Sequence, residues 1–139
     1  MNVELVRYSA SEWYAYSEAA HKLVFKEVRE PWLNRIDFAL LARVSDRILG
    51  YVTCREVDAE TVYWQYGGAM DECRGLSAVR GFHAFLRDMH RTYRRVITLV
   101  KNDNVGYLHL LMKSGFRVIG VRCFKGEILC EMHIEFEEK

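Results

Sequence analysis

The sequence predicts a mixed α/β fold, with one central and mostly antiparallel sheet carrying helices on its faces. Three observations point there. Apolar residues recur at helical spacing over residues 12–29, 76–93 and 104–114. Runs rich in Val, Ile, Tyr and Trp fill the intervals between them. Several of those runs are joined by tight polar turns, which connect antiparallel neighbours because parallel strands need a long crossover. The 139 residues fit a single domain, 1–139, with one sizeable core.

Residues 2–8 set Val3 and Leu5 against Glu4 and form a short first strand. Ser9 or Ser11 is placed to cap the helix that follows, because a short hydroxyl side chain accepts a bond from an orphan N–H. That helix carries Trp13, Tyr16, Ala20, Leu23, Val24 and Val28 on one face. Pro31, the one proline, ends it or starts a short second helix through 32–36. Strands follow over 38–44, 48–56 and 61–70, with turns at 45–47 and 58–60. Leu76, Val79, Phe82, Phe85, Leu86, Met89 and Tyr93 then mark a long helix. Residues 95–100 are a near-continuous apolar run, as expected of a strand buried on both faces. A helix over 104–114 stops at Gly115, which suits the left-handed position after a helix end. Residues 116–124 and 128–136 close as a hairpin turning at Lys125-Gly126.

Composition excludes several function classes. Half the residues are hydrophobic and 28% charged, so wholesale disorder is excluded. Twenty basic and 19 acidic side chains leave a formal net charge of +1, which gives no electrostatic reason for a nucleic-acid or anionic-membrane partner. No stretch approaches the length of a membrane span, and the N-terminal residues, acidic at Glu4, lack the apolar core of a secretory leader. Cys54, Cys73, Cys123 and Cys130 form no metal knuckle and no C-x-x-C pair, so free thiols in a reducing cytoplasm are expected. The five histidines show no metal-ligand spacing, and no metal is expected.

Three segments, in order, carry a family resemblance. Residues 40–53 place Gly50 early in a strand, 70–79 (Met-Asp-Glu-Cys-Arg-Gly-Leu-Ser-Ala-Val) join a strand to the long helix, and 104–116 run from Asn104 to Gly115-Phe116. With the element order, they make the chain resemble the Gcn5-related N-acetyltransferase (GNAT) family over residues 3–136. The resemblance implies a sheet of about six or seven strands flanked by about four helices. It also implies acetyl-CoA as co-substrate, an amine acceptor that the sequence does not identify, and possible homodimer formation through the C-terminal strands.

Site residues follow from the same resemblance. The loop Arg74, Gly75, Leu76, Ser77, Ala78 and Val79 occupies the place of the family's pyrophosphate loop, where backbone N–H groups at a helix N-terminus meet phosphate. Ser77 and Val79 stand where the family has small residues, glycine above all. The Ala69 and Met70 backbone is expected beside the thioester and pantetheine, with Gly67-Gly68 allowing close approach. Asn104 opens the penultimate helix. Where many members place the tyrosine that protonates the departing thiolate, this chain has Leu111, and Tyr107 lies one turn earlier on nearly the same face. Tyr107 is therefore the candidate proton donor, with core packing as its plain alternative. Glu72, Asp71, Glu56 and Asp58 lie near strand ends as candidate acid/base groups, Glu72 foremost, but each reads first as a solvated turn charge and no acid/base pair stands out. Two functions remain open: an acetyl-CoA-dependent N-acetyltransferase working by direct transfer in a ternary complex, or a catalytically degenerate GNAT-like module acting through CoA or protein binding.

Overall fold

The computed structural model describes residues 3–13, 16, 36–45, 47–69 and 76–136, with the backbone alone at 66–69 and 76–78. Along the chain run β1 (Glu4–Ser9), β2 (Phe38–Val44), β3 (Arg47–Glu56), β4 (Thr61–Ala69), α1 (Leu76–Thr92), β5 (Arg95–Lys101), α2 (Val105–Lys113), β6 (Arg117–Phe124) and β7 (Glu127–Glu135). The sheet has seven strands in the order β1-β2-β3-β4-β5-β7-β6. The pairs β1/β2, β2/β3, β5/β7 and β6/β7 are antiparallel, and β4/β5 is parallel. The mixed, mostly antiparallel architecture expected from the sequence is the one observed. A further helical turn covers 10–13; most of the helix expected over 12–29, and the short one at 32–36, lie outside the described residues.

Two compact units divide the chain: Met1–Arg55 with Gln65–Asp88, and Glu56–Trp64 with Met89–Lys139. In the first, a capping box starts the N-terminal helical turn. Glu12 N donates to Ser9 Oγ at 3.3 Å while Ser9 N donates to Glu12 Oε1 at 2.9 Å. The turn delivers Trp13, which has no exposed surface, onto Ala39, Leu41 and Tyr51. Tyr8 and Tyr16 complete the cluster, their rings stacked 5.4 Å apart. The even-numbered face of β2 turns the other way, where a Cβ at Gly81 of α1 would meet Ala42 Cβ at 3.8 Å. Phe38–Ala42 is thus buried on both faces, which is why it reads as an unbroken apolar run.

In the second unit β5 alternates. Val96, Thr98 and Val100 are buried, while Arg95, Ile97 and Leu99 are only half-buried. This corrects the expectation of a strand buried on both faces. Ile97 and Leu99 supply apolar character without full cover. The buried side continues through Met132 and Ile134 of β7, which pair with Thr98 and Val96. Helix α2 adds Leu108 and Leu111, followed by Phe116. Gly115 adopts φ +106 as predicted, and a Cβ there would come 3.3 Å from Ile134 Cδ1. Lys125 and Gly126 both take positive φ, 50 and 78, forming the two-residue turn that matches strand twist.

Candidate active site

The parallel β4/β5 ladder pairs Thr61–Trp64 with Arg95–Thr98, and Thr98 Oγ1 donates to the Trp64 carbonyl at 3.1 Å. Beyond it β4 continues through Gly67 and Gly68 to Ala69. Met70, Asp71, Glu72, Cys73, Arg74 and Gly75 lie outside the described residues. Helix α1 then opens at Leu76, so Leu76, Ser77, Ala78 and Val79 form its first turn. Their N–H groups have no acceptor within the helix, and no acidic side chain stands in that turn to compete for them. Such an end favours an anion. Val79 is half-buried.

Asn104 and Tyr107 belong to the second unit, whereas Ala69 and the loop through Val79 belong to the first. Asn104 is the N-cap of α2, its exposed side chain accepting from Tyr107 N at 3.4 Å. Tyr107 is half-buried, and burial pushes its phenol well above the ordinary tyrosine value. The phenol therefore keeps its proton across the physiological range. Leu111, one turn on, has no exposed surface.

The remaining carboxylates separate cleanly. Tyr93 Oη donates to Glu56 Oε1, tying the end of β3 to the residue after α1. Asp58 accepts from Glu60 N at 2.8 Å, and that bond holds its carboxyl below the usual range, as a turn residue should show. Sequence reasoning missed one group. Glu131 and His133 of β7 share a face, with His133 Nε2 3.5 Å from Glu131 Oε2, and Arg122 of β6 pairs with Glu131 Oε1. The signal was available: two chemically active residues at i and i+2 of a strand project to the same side. Among the described residues no three His, Cys, Asp or Glu side chains cluster as a metal site requires, and no helix is long and apolar enough to cross a membrane.

No family model matches the sequence, and no curated protein matches it. Solved structures match by fold. A GNAT family acetyltransferase from Elizabethkingia anophelis, with acetyl-CoA bound, is 17% identical with a TM-score of 0.70, over 97% of this chain and 99% of its own. The ribosomal-protein-S18-alanine N-acetyltransferase from Escherichia coli gives 0.75 at 8% identity, over 99% and 96%. Arabidopsis thaliana Naa50, in complex with the bisubstrate analogue CoA-Ac-MVNAL, gives 0.73 at 14% identity, over 98% and 100%. At such identities the likeness shows the fold: the chain resembles the GNAT acetyltransferases across nearly its whole length.

Proposed function

We propose that the chain is an acetyl-CoA-dependent N-acetyltransferase of the cytoplasm, passing an acetyl group directly to an amine in a ternary complex. One observation carries this: the first turn of α1, free of acidic side chains, opens just beyond β4 in a fold shared with structures that hold acetyl-CoA. In this reading Arg74, Gly75 and the backbone of Leu76–Val79 hold the pyrophosphate. The Ala69 and Met70 backbone aligns the thioester, and Asn104 fixes the start of α2. Glu72 receives the acceptor ammonium. Tyr107, kept protonated by burial, gives its hydroxyl proton toward the sulfur as it leaves. Most of the acceleration then comes from holding two substrates in line.

The second reading, a GNAT-like module without turnover, is favoured by the buried Leu111, which leaves no hydroxyl at the usual donor position. Calorimetric titration with acetyl-CoA and CoA, paired with an acceptor-amine screen, separates the two. Micromolar acetyl-CoA binding with acetyl transfer is expected. Binding without transfer to any amine favours the module, and no binding at millimolar ligand removes the cofactor reading altogether.

A second copy of the chain is the proposed partner at the sheet's end. Strand β6 lies at one edge of the sheet, so among the described residues no strand pairs with its outer side, and Val118, Ile119, Val121 and Phe124 are all exposed. Two such edges related by a two-fold axis complement one another.

A further inference from the structure

The turn at Lys125-Gly126 fixes the register of β6 on β7, and that register brings two cysteines together. Val121 lies opposite Cys130, and Cys123 lies opposite Ile128. Residues two apart on a strand share a face, so all four side chains stand on one side of the hairpin, with the thiols at diagonal corners. It is the side on which Ile134 meets Gly115. Both cysteines are free. Cys123 is exposed, and Cys130 is half-buried at the rim of the core, with the buried Val100 of β5 as its other neighbour. Val121 and Ile128, the remaining corners, are 61% and 45% exposed, so the block is open to solvent. None of these four residues has a part in the proposed acetyl transfer.

Their separation decides what two such thiols can do. Diagonal neighbours across an antiparallel pair have Cα atoms about 7–8 Å apart, with the Cβ atoms somewhat closer. A disulfide needs Cα atoms within about 6.8 Å and Cβ atoms about 3.8 Å apart, which this register denies. A bridging ion asks for less. Sulfurs about 2.3 Å from one centre lie about 3.8 Å apart at a tetrahedral angle and about 4.6 Å apart in a line. One Cβ–S bond from each side, rotated toward the other, closes the diagonal to that gap. The donor set then narrows the ion. Among the described residues no three His, Cys, Asp or Glu side chains come together, so no third ligand of those kinds joins the thiols. Zinc takes four ligands, and calcium and magnesium take oxygen. Monovalent copper is soft and is satisfied by two thiolates. The apolar corners, Val121 and Ile128, offer nothing to a hard, hydrated cation.

We propose that Cys123 and Cys130 form a two-thiolate site for a soft, two-coordinate cation, monovalent copper, on the open face of the β6–β7 hairpin. Binding breaks two S–H bonds and forms two S–Cu bonds. The two protons go to solvent, and no electron changes hands. Affinity therefore rises with pH as long as the free thiols are protonated. The bound ion ties β6 to β7 and stabilises the folded second unit by mass action. The site lies wholly within that unit and does not depend on the acetyltransferase reading. A second copy pairing along the outer edge of β6 uses backbone groups there and leaves the thiols on the face reachable.

The test is anaerobic titration of the reduced, full-length protein with monovalent copper against bicinchoninate as competing chelator. Cys123→Ser and Cys130→Ser are compared with the intact pair in a Cys73→Ser background, which leaves the buried Cys54 as the one other thiol. The intact pair should hold one copper per chain, show two sulfur neighbours by X-ray absorption, and unfold at a higher temperature when loaded. Either serine substitution should weaken binding by more than about 100-fold, the cost of disturbing even an outer partner of a metal ligand. Cys123 is exposed, so Cys123→Ser carries the test should Cys130→Ser not fold. Copper affinity left within a few-fold by Cys123→Ser overturns the proposal, as does an intact pair that yields all its copper to the chelator. A Cys123–Cys130 disulfide, found by peptide mapping after the copper-free protein is treated with glutathione disulfide, also overturns it, because the thiols then stand closer than the diagonal allows.

Discussion

Between Ser9 and Glu12 two hydrogen bonds run in opposite directions, each meeting a donor the helix cannot satisfy itself. Ser9→Ala should lower stability by about 1 kcal/mol in urea denaturation. The bond from Ser9 N also depresses the Glu12 carboxyl. Because its folded value lies below the unfolded one, its contribution is present above the ordinary glutamate range. It is lost as pH falls through the folded value. Glu12→Gln should therefore remove part of the acid sensitivity of unfolding; an unchanged acid limb would show the carboxylate contributes nothing. Tyr107 makes the same point about environment. Tyr107→Phe should slow turnover without changing acetyl-CoA affinity, and equal rates would remove the phenol as donor. Asn104 was legible as a helix start because capping is local chemistry. The Glu131–His133 pair was not, because it depends on the strand register that also brings Arg122 of β6 to the same carboxylate.

Elements were the most legible level. The runs over 38–44 and 61–70 and the helix starting at Leu76 lie within a residue or two of their predicted bounds, because period and turn chemistry act over a few residues. Coverage was less legible. In β5 the apolar letters of Ile97 and Leu99 say nothing about whether another layer lies over them, and the structure leaves both half-buried. Within α1, a methyl at Gly81 would sit 3.8 to 4.0 Å from Ala42 and Leu49, an ordinary contact. Gly81→Ala should consequently stabilise by about 0.5–1 kcal/mol through helix propensity, read from the urea midpoint; destabilisation would mean that α1 packs closer than described. On the outer strand, Val121→Lys should yield a single-chain species in sedimentation velocity. Wild type sedimenting as a monomer would instead discard the β6 dimer.

At the scale of the molecule, what the sequence conveyed was an order of elements, and the order was enough to reach the fold shared with acetyltransferases. The proposed site was less legible for a physical reason. Its cofactor side is backbone at a helix end, which almost any small residues can supply. Ser77 and Val79 keep their N–H groups in the first turn of α1 while blurring the motif. The cluster of Glu131, His133 and Arg122 is brought together across strands, where one sequence alone carries no pairing information.

The placement of β7 between β5 and β6 also has a consequence for synthesis. Both neighbours are made before it, so a growing chain that has passed β6 holds two strands whose shared partner is not yet translated. Until residues 127–135 leave the ribosome, β5 and β6 each expose a row of backbone donors and acceptors and the apolar side chains meant for Met132 and Ile134. The tight turn at Lys125-Gly126 shortens that interval by folding β7 back as soon as it emerges. The second unit thus completes its sheet only when β7 is in place.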